Sequence, residues 1–208
     1  MRYKLAIFDF DGTLADSFPW VIGMMNDVAD RFSFRRVRPD ELEELRHCDA
    51  REIMRRLGVK RWKLPMIARY VRTRMAAEVD QIPLFPGASA MLADLAAAGV
   101  KMAVVSANGE DTIRTVLGPD AALMDGFAAG VSLFGKRRKL VKMAKLTGVD
   151  RSEAIVIGDE LRDLDAARAA GMAFGAVSWG ATRAPAHAAR GADFIFERMD
   201  QISDAVRG

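Results

Sequence analysis

Cysteine is almost absent from this 208-residue chain: Cys48 is the only one, which excludes an intramolecular disulfide or a cysteine-built metal cluster and points to a reducing compartment. A structural, buried thiol is the role expected of it. No apolar run approaches the roughly 20 residues of a membrane span. Near the N-terminus, Arg2, Lys4, Asp9 and Asp11 interrupt the unbroken apolar stretch that a secretory leader needs. These absences predict a soluble, cytoplasmic protein without a membrane partner. Internal repeats and low-complexity tracts are lacking too, beyond ordinary alanine-rich stretches. Net charge is small: +3 is too little to imply a nucleic-acid partner, although a modest basic bias suits small anionic molecules.

What the chain does have is apolar mass. Half of its residues are hydrophobic, enough for one good core and a smaller insertion. The positive excess is confined to residues 17–82, which hold 14 Lys and Arg against 10 Asp and Glu. That stretch also reads in helical period. Val21, Met24, Met25, Val28 and Phe32 repeat at helical spacing after Ser17, a candidate cap, and Pro19 near the first turn. Asp40 with Glu43, and Asp49 with Glu52, have capping-box-like spacing and each opens a short helix, the second stopped by Gly58. Pro65 introduces Met66, Ile67, Tyr70, Val71, Met75 and Val79. Residues 17–82 are therefore expected to form an all-helical insertion of roughly four helices. Trp20, Trp62 and Tyr70 are expected in its core, and Arg35, Arg36 and Arg38 on a solvated loop.

Outside the insertion the period is different. Leu5 to Phe8 is a short unbroken apolar run, as in a strand buried on both faces. From residue 83 onward, helices over 88–98, 110–117, 138–147 and 161–170 alternate with strands over 102–105, 127–134 and 154–157. Two more strands follow near 173–179 and 194–196. This alternation predicts an α/β fold, a parallel sheet with helices on both faces. Its core comprises residues 1–16 plus 83–208.

Each strand delivers chemistry at its C-terminal end. The first gives Asp9 and Asp11, the second Ser106 and Asn108, the third Lys136, and the fourth Asp159 with Asp163 one helical turn later. In an open parallel sheet these ends share one rim, where ligands bind. Any one of them alone is most simply a turn or cap residue. Four strands in agreement are not. Four carboxylates on a partly buried rim cost several kcal/mol per ion if unpaired, so a hard cation is expected, and an all-oxygen set facing an anionic substrate favours Mg²⁺ over zinc. His47 and His187 fall outside this pattern and receive no role.

The ordered set resembles the haloacid dehalogenase-like hydrolase superfamily, and within it the phosphoglycolate phosphatase-like branch with a helical cap. Four motifs carry the resemblance, which covers essentially the whole chain: DFDGTLADS (Asp9 to Ser17), VVSAN (Val104 to Asn108), FGK (Phe134 to Lys136) and GDELRD (Gly158 to Asp163). It implies a Rossmann-like sheet and a Mg²⁺-dependent phosphatase of small phosphomonoesters, phosphoglycolate-like or sugar phosphates. A small phosphorylated metabolite is the implied partner, and the implied assembly a monomer or homodimer. By the same resemblance Asp9 is the nucleophile that forms an aspartyl-phosphate, and Asp11 the acid and base, which the family's dehalogenases lack. Asp9 and Asp159 bind Mg²⁺ through carboxylates and Asp11 through its carbonyl, with Asp163 orienting the metal shell. Ser106 and the backbone beside Asn108 hold the phosphoryl group, while Lys136 offsets its charge.

Two departures leave alternatives. Many relatives have Lys-Pro at the third motif, whereas Lys136 is followed here by Arg137-Arg138-Lys139, so Lys139 is an alternative to Lys136. Glu160, as in a GDE-containing branch, either alters the metal shell or caps the next helix. The insertion would then be a mobile cap hinged at Asp16-Ser17 and Gln81 to Pro83. Two further readings are phosphoryl transfer between sugar positions, as in the family's phosphoglucomutases, and a phosphoacceptor module like receiver domains. Receiver domains are shorter, uncapped and without a second acid two residues on, so Asp11 counts against the latter.

Overall fold

In the computed structural model, which describes residues 1–45, 48, 50–130 and 135–208, the first strand, β1 (Leu5–Phe8), is buried along its whole length. Ala6 and Phe8 enter one apolar cluster and Leu5 and Ile7 another, because successive side chains leave a strand on opposite faces and both faces are covered. The other strands are β2 (Lys101–Val105), β3 (Gly126–Ala128), β4 (Ala154–Gly158), β5 (Ala173–Val177) and β6 (Phe194–Phe196). All pair in parallel in the order β3-β2-β1-β4-β5-β6. The expected α/β sheet is present, and β1 lies between β2 and β4, so the three ends richest in polar residues are neighbours.

Helices cover both faces. On one lie α5 (Ala88–Ala97), α6 (Glu110–Leu117) and α10 (Asp200–Arg207), which bury Met91, Leu92, Leu95, Ile113, Leu117, Ile202 and Val206. On the other lie α7 (Lys136–Thr147) and α8 (Leu161–Ala170), which bury Leu140, Met143, Ala144, Leu164, Ala167 and Ala170. A short helix, α9 (Ala184–Ala189), joins β5 to β6. Among the described residues, those between β1 and β2 that precede α5 form α1 (Phe18–Phe32), α2 (Leu42–Leu45), α3 (Ala50–Arg56), α4 (Leu64–Ala77) and short 3₁₀ turns, with no strand among them. Trp20, Met24 and Val28 of α1 and Ile67 and Met75 of α4 join the apolar cluster of the first sheet face, whereas Met25, Val37, Leu45, Ile53 and Leu57 form a cluster of their own. No helix among the described residues is long and apolar enough to cross a membrane.

Several local expectations are corrected. Ser17 precedes α1 but makes no capping bond; its side chain lies beside the Asp11 carboxyl. The turn leading into α2 is held by Glu41, which accepts from the Arg38 backbone N–H at 3.1 Å, and starts at Pro39, one residue before Asp40; the side chain of Glu43 lies outside the described residues. Trp62 is 66% exposed, not in the core: it sits in the 3₁₀ turn Arg61–Lys63, out of phase with α4. Trp20 is buried and Tyr70 half-buried, as expected. Cys48 is half-buried, its thiol donating to the Glu44 carbonyl at 3.4 Å. Helix α7 begins at Lys136, two residues before the expected start, and β3 ends at Ala128. Asp49 of the second acid pair, His47, and the 131–134 part of the expected third strand, including Phe134 of the FGK motif, lie outside the described residues. The loop of Arg35, Arg36 and Arg38 is exposed and ion-paired to Glu41, Asp30 and Asp40.

Candidate active site

The strand pattern continues past β1. The Asp9 N–H donates to the Ile157 carbonyl at 2.8 Å, and Phe10 sends its ring wholly into the core, so alternation leaves Asp9 and Asp11 to the rim. The chain then turns around the Phe10 carbonyl, which accepts from Leu14 and Ala15 at 2.9 and 3.0 Å. Gly12 makes this turn with a φ of 72°, and a Cβ there would lie 2.4 Å from Asp159 Oδ2. Only glycine allows that approach.

Asp159, at the end of β4, is buried and held from two sides. Thr13 donates its hydroxyl to Oδ1 at 3.1 Å, and the Ala181 N–H donates to Oδ2 at 2.9 Å. Asp163, one turn into α8, is fully buried, with Oδ2 accepting from the Glu160 N–H at 3.4 Å. Carboxylate oxygens of Asp9, Asp159 and Asp163 all lie within 4.8 Å of one another. Lys136, the first residue of α7, reaches into this group. Its Nζ is 2.9 Å from Asp9 Oδ1 and 2.7 Å from Asp163 Oδ1. The lysine at the cluster is thus Lys136, not Lys139.

The second motif closes the other side. Ser106 Oγ accepts from the Asn108 N–H at 3.1 Å, and the Asn108 amide donates to Asp11 Oδ2 at 2.7 Å. Asp11 therefore stands beside the carboxylate cluster, bound by Asn108 with Ser17 alongside, while its Oδ1 is buried without a partner among the described residues. Glu160 occupies the position before α8, but its carboxylate is taken by Arg162, whose Nη2 donates to Oε1 at 3.0 Å. Sequence reasoning missed Thr13, Ser17, Arg162 and the Ala181 N–H. Thr13 and Ser17 lie inside the first motif and Arg162 inside the fourth, so their place was visible though their partners were not.

The family profile described as haloacid dehalogenase-like hydrolase matches residues 6–177. The chain belongs to the haloacid dehalogenase-like hydrolases. Within that family it is similar to the phosphoglycolate phosphatase of Synechococcus elongatus, 30% identical over 96% of this chain and 95% of the relative. It is also similar to that of Caulobacter vibrioides, 30% identical over 95% of this chain and 88% of the relative. A putative phosphoglycolate phosphatase from Lactobacillus plantarum shares the fold, with a TM-score of 0.84 at 22% identity over 98% of this chain and 99% of that one. This haloacid dehalogenase-like hydrolase is an enzyme of the phosphatase branch.

Electrostatically the hydrolase site is an acid cluster short of positive charge. Burial pushes Asp9 up to about 6, against the pull of the Lys136 ammonium. Burial also raises Asp159, to about 7, and the charges of Asp9 and Asp163 add to it. Asp11 is raised by burial and drawn back by Ser17 beside it and by the bond from Asn108. For Lys136, burial favours the neutral amine, but the Asp163 and Asp9 carboxylates outweigh it and the net shift is upward. Three buried carboxylates sharing one ammonium are a donor set that a divalent, oxygen-seeking cation would complete, and Mg²⁺ fits it.

Proposed function

We propose that this haloacid dehalogenase-like phosphatase hydrolyses small phosphomonoesters, phosphoglycolate or sugar phosphates among them, through a covalent phosphate on Asp9. The observation that carries this reading is the Lys136 bridge, one mostly buried ammonium bound to both Asp9 and Asp163. It fixes the Asp9 carboxylate and sets a cation where phosphoryl charge would gather. An Asp9 oxygen attacks phosphorus, the ester P–O bond breaks, and Asp11 gives its proton to the departing alkoxide. A carboxyl raised by burial suits that duty, since it keeps a proton to give. Water then attacks the same phosphorus, Asp11 takes the proton back, and the bond to Asp9 breaks to release phosphate. Ser106, whose Oγ already accepts from Asn108, has its hydroxyl proton to donate to a phosphoryl oxygen. Asp9 and Asp159 would hold Mg²⁺ by their carboxylates and Asp11 by its carbonyl, with Asp163 steadying the surrounding shell. The ion would neutralise phosphoryl charge.

In this reading residues 17–82 form a cap over the rim and residues 1–16 plus 83–208 the hydrolase core. The two linkers run side by side: the Asp16 N–H donates to the Pro83 carbonyl at 2.9 Å and the Phe85 N–H to the Leu14 carbonyl at 2.8 Å. A cap hinged there would shed water from the phosphoaspartate and limit the substrate to small metabolites of the cytoplasm. The test is phosphate release from an aryl phosphate and a panel of small phosphomonoesters, with and without chelator, for wild type beside Asp9→Asn. Chelation is expected to stop release, and Asp9→Asn to abolish turnover while leaving the fold intact. Undiminished hydrolysis by Asp9→Asn would remove the covalent mechanism.

A further inference from the structure

Helix α9 buries one polar side chain that the chemistry above does not use. His187 is 0% exposed, and its ring lies with its centroid 5.8 Å from that of Phe174. Its Nε2 is 3.1 Å from the backbone carbonyl of Asp159. A carbonyl only accepts, so Nε2 carries the proton and Nδ1 is bare. Nδ1 is buried with no partner among the described residues. An apolar side chain would fill the same space without stranding an acceptor, so what histidine contributes here is that one hydrogen bond.

The bond lands on a residue already held from elsewhere. The Asp159 carbonyl also accepts from the Thr182 N–H at 3.1 Å, and its carboxylate accepts from Ala181 and Thr13. Gly180, next to Ala181, approaches so closely that a Cβ there would lie 2.1 Å from Asp159 Cβ. Residues 180–182 thus form a cradle around Asp159, and His187 holds the same carbonyl from α9. We propose that His187 is a positioning residue for the divalent cation: by pinning the Asp159 main chain it aims the Asp159 carboxylate at Asp9. This rests on the reading of Asp159 as a metal ligand. Contacts one shell beyond a ligand typically change metal affinity by about 10–100-fold, far more than a packing contact alone would.

The test is a calorimetric Mg²⁺ titration of the full chain without substrate, so turnover is not the readout. His187→Leu keeps apolar bulk and loses the donor; it is expected to weaken Mg²⁺ binding about tenfold or more. His187→Gln, whose amide nitrogen can take the place of Nε2, should recover most of the affinity, and His187→Asn, whose nitrogen falls nearer Nδ1, should not. Phe174→Leu loosens the same pocket without touching the hydrogen bond and should bind Mg²⁺ as wild type does. Wild-type affinity in His187→Leu overturns the proposal. So does an equal loss in Phe174→Leu. If the leucine variant does not fold, the Gln and Asn pair decides, and equal affinity in the two overturns it. A wild type that binds no Mg²⁺ overturns the metal reading itself and the inference with it.

Discussion

Asp11 has two polar neighbours, Asn108 and Ser17, and both favour its charged form. Asn108 donates at 2.7 Å and the polar side chain of Ser17 lies beside the carboxylate, against a burial that raises the carboxyl. Removing either neighbour removes a stabiliser of the carboxylate, so the pKa must rise further. In Asn108→Ala the high-pH limb of kcat/KM, where Asp11 loses the proton it gives to the leaving group, is expected to move to higher pH. A pH–rate profile beside wild type checks this, and a limb that stays in place would show that another group sets it. Gly12 makes a second prediction at this scale. Alanine at a φ of 72° costs about 1–2 kcal/mol, and its Cβ would sit 2.4 Å from Asp159 Oδ2, so Gly12→Ala should lower both the melting temperature and Mg²⁺ affinity. The acids of the first and fourth motifs were legible because spacing along a strand and one turn of helix fixes their direction. The hydroxyls were not. Ser17 reads as a cap from its place before a helix, and only the fold shows that it stands beside Asp11, six residues earlier in the chain.

Helices closed by a glycine stop are legible close to their ends, and two short helices near the C-terminus are not. α6 and α8 fall on the expected residues, whereas α9 is six residues of which four are alanine, with too little contrast between faces to mark a helix. α10 has sharply sorted faces, but it is only eight residues long, with Ile202 and Val206, one turn apart, as the two large apolar residues of its buried side, too short a stretch to mark a helix. Yet this helix secures the sheet, since the Arg2 and Tyr3 N–H groups donate to the Val206 carbonyl at 3.2 and 3.0 Å. Ile202 is fully buried among Met199, Val206 and the residues of α5. Ile202→Ala is therefore expected to cost about 2–5 kcal/mol, read as a fall in the denaturant midpoint at unchanged slope. A loss under about 0.5 kcal/mol, ordinary for a surface site, would mean that α10 does not carry the core. The early start of α7 has a functional consequence. Because Lys136 is its first residue, the side chain leaves the helix end toward the β1 and β4 termini and meets Asp9 and Asp163.

Across the whole molecule, the strand order is what brings the motifs together, and it could not be read from any one segment. Parallel strands need long crossovers, so the sequence predicts the α/β class, but which strands become neighbours depends on which helices pack together across the sheet. With β1 between β2 and β4, the acids concentrate at the middle of the rim, and that concentration sets the pH response of the fold. Asp9 and Asp159 stand at about 6 and about 7 against an ordinary value of 3.8. Without a cation, the folded protein binds protons there at a pH where the unfolded chain has released them. The stability so contributed is complete below about pH 4 and is lost as pH rises through about 6 to 7. His187, lowered by burial, acts in the opposite sense: its contribution is present above its ordinary value of 6.5 and fades as pH falls. Two carboxyls outweigh one imidazole, so chelator-treated protein should melt lower at about pH 8 than at about pH 5.5. Mg²⁺ must displace those protons at the lower pH and need not at the higher, so the rise in melting temperature it produces should be larger at about pH 8. Scanning calorimetry at both pH values, with Mg²⁺ and with chelator, measures both effects. An equal Mg²⁺ increment at the two would mean that the ion does not bind at the raised carboxyls of Asp9 and Asp159.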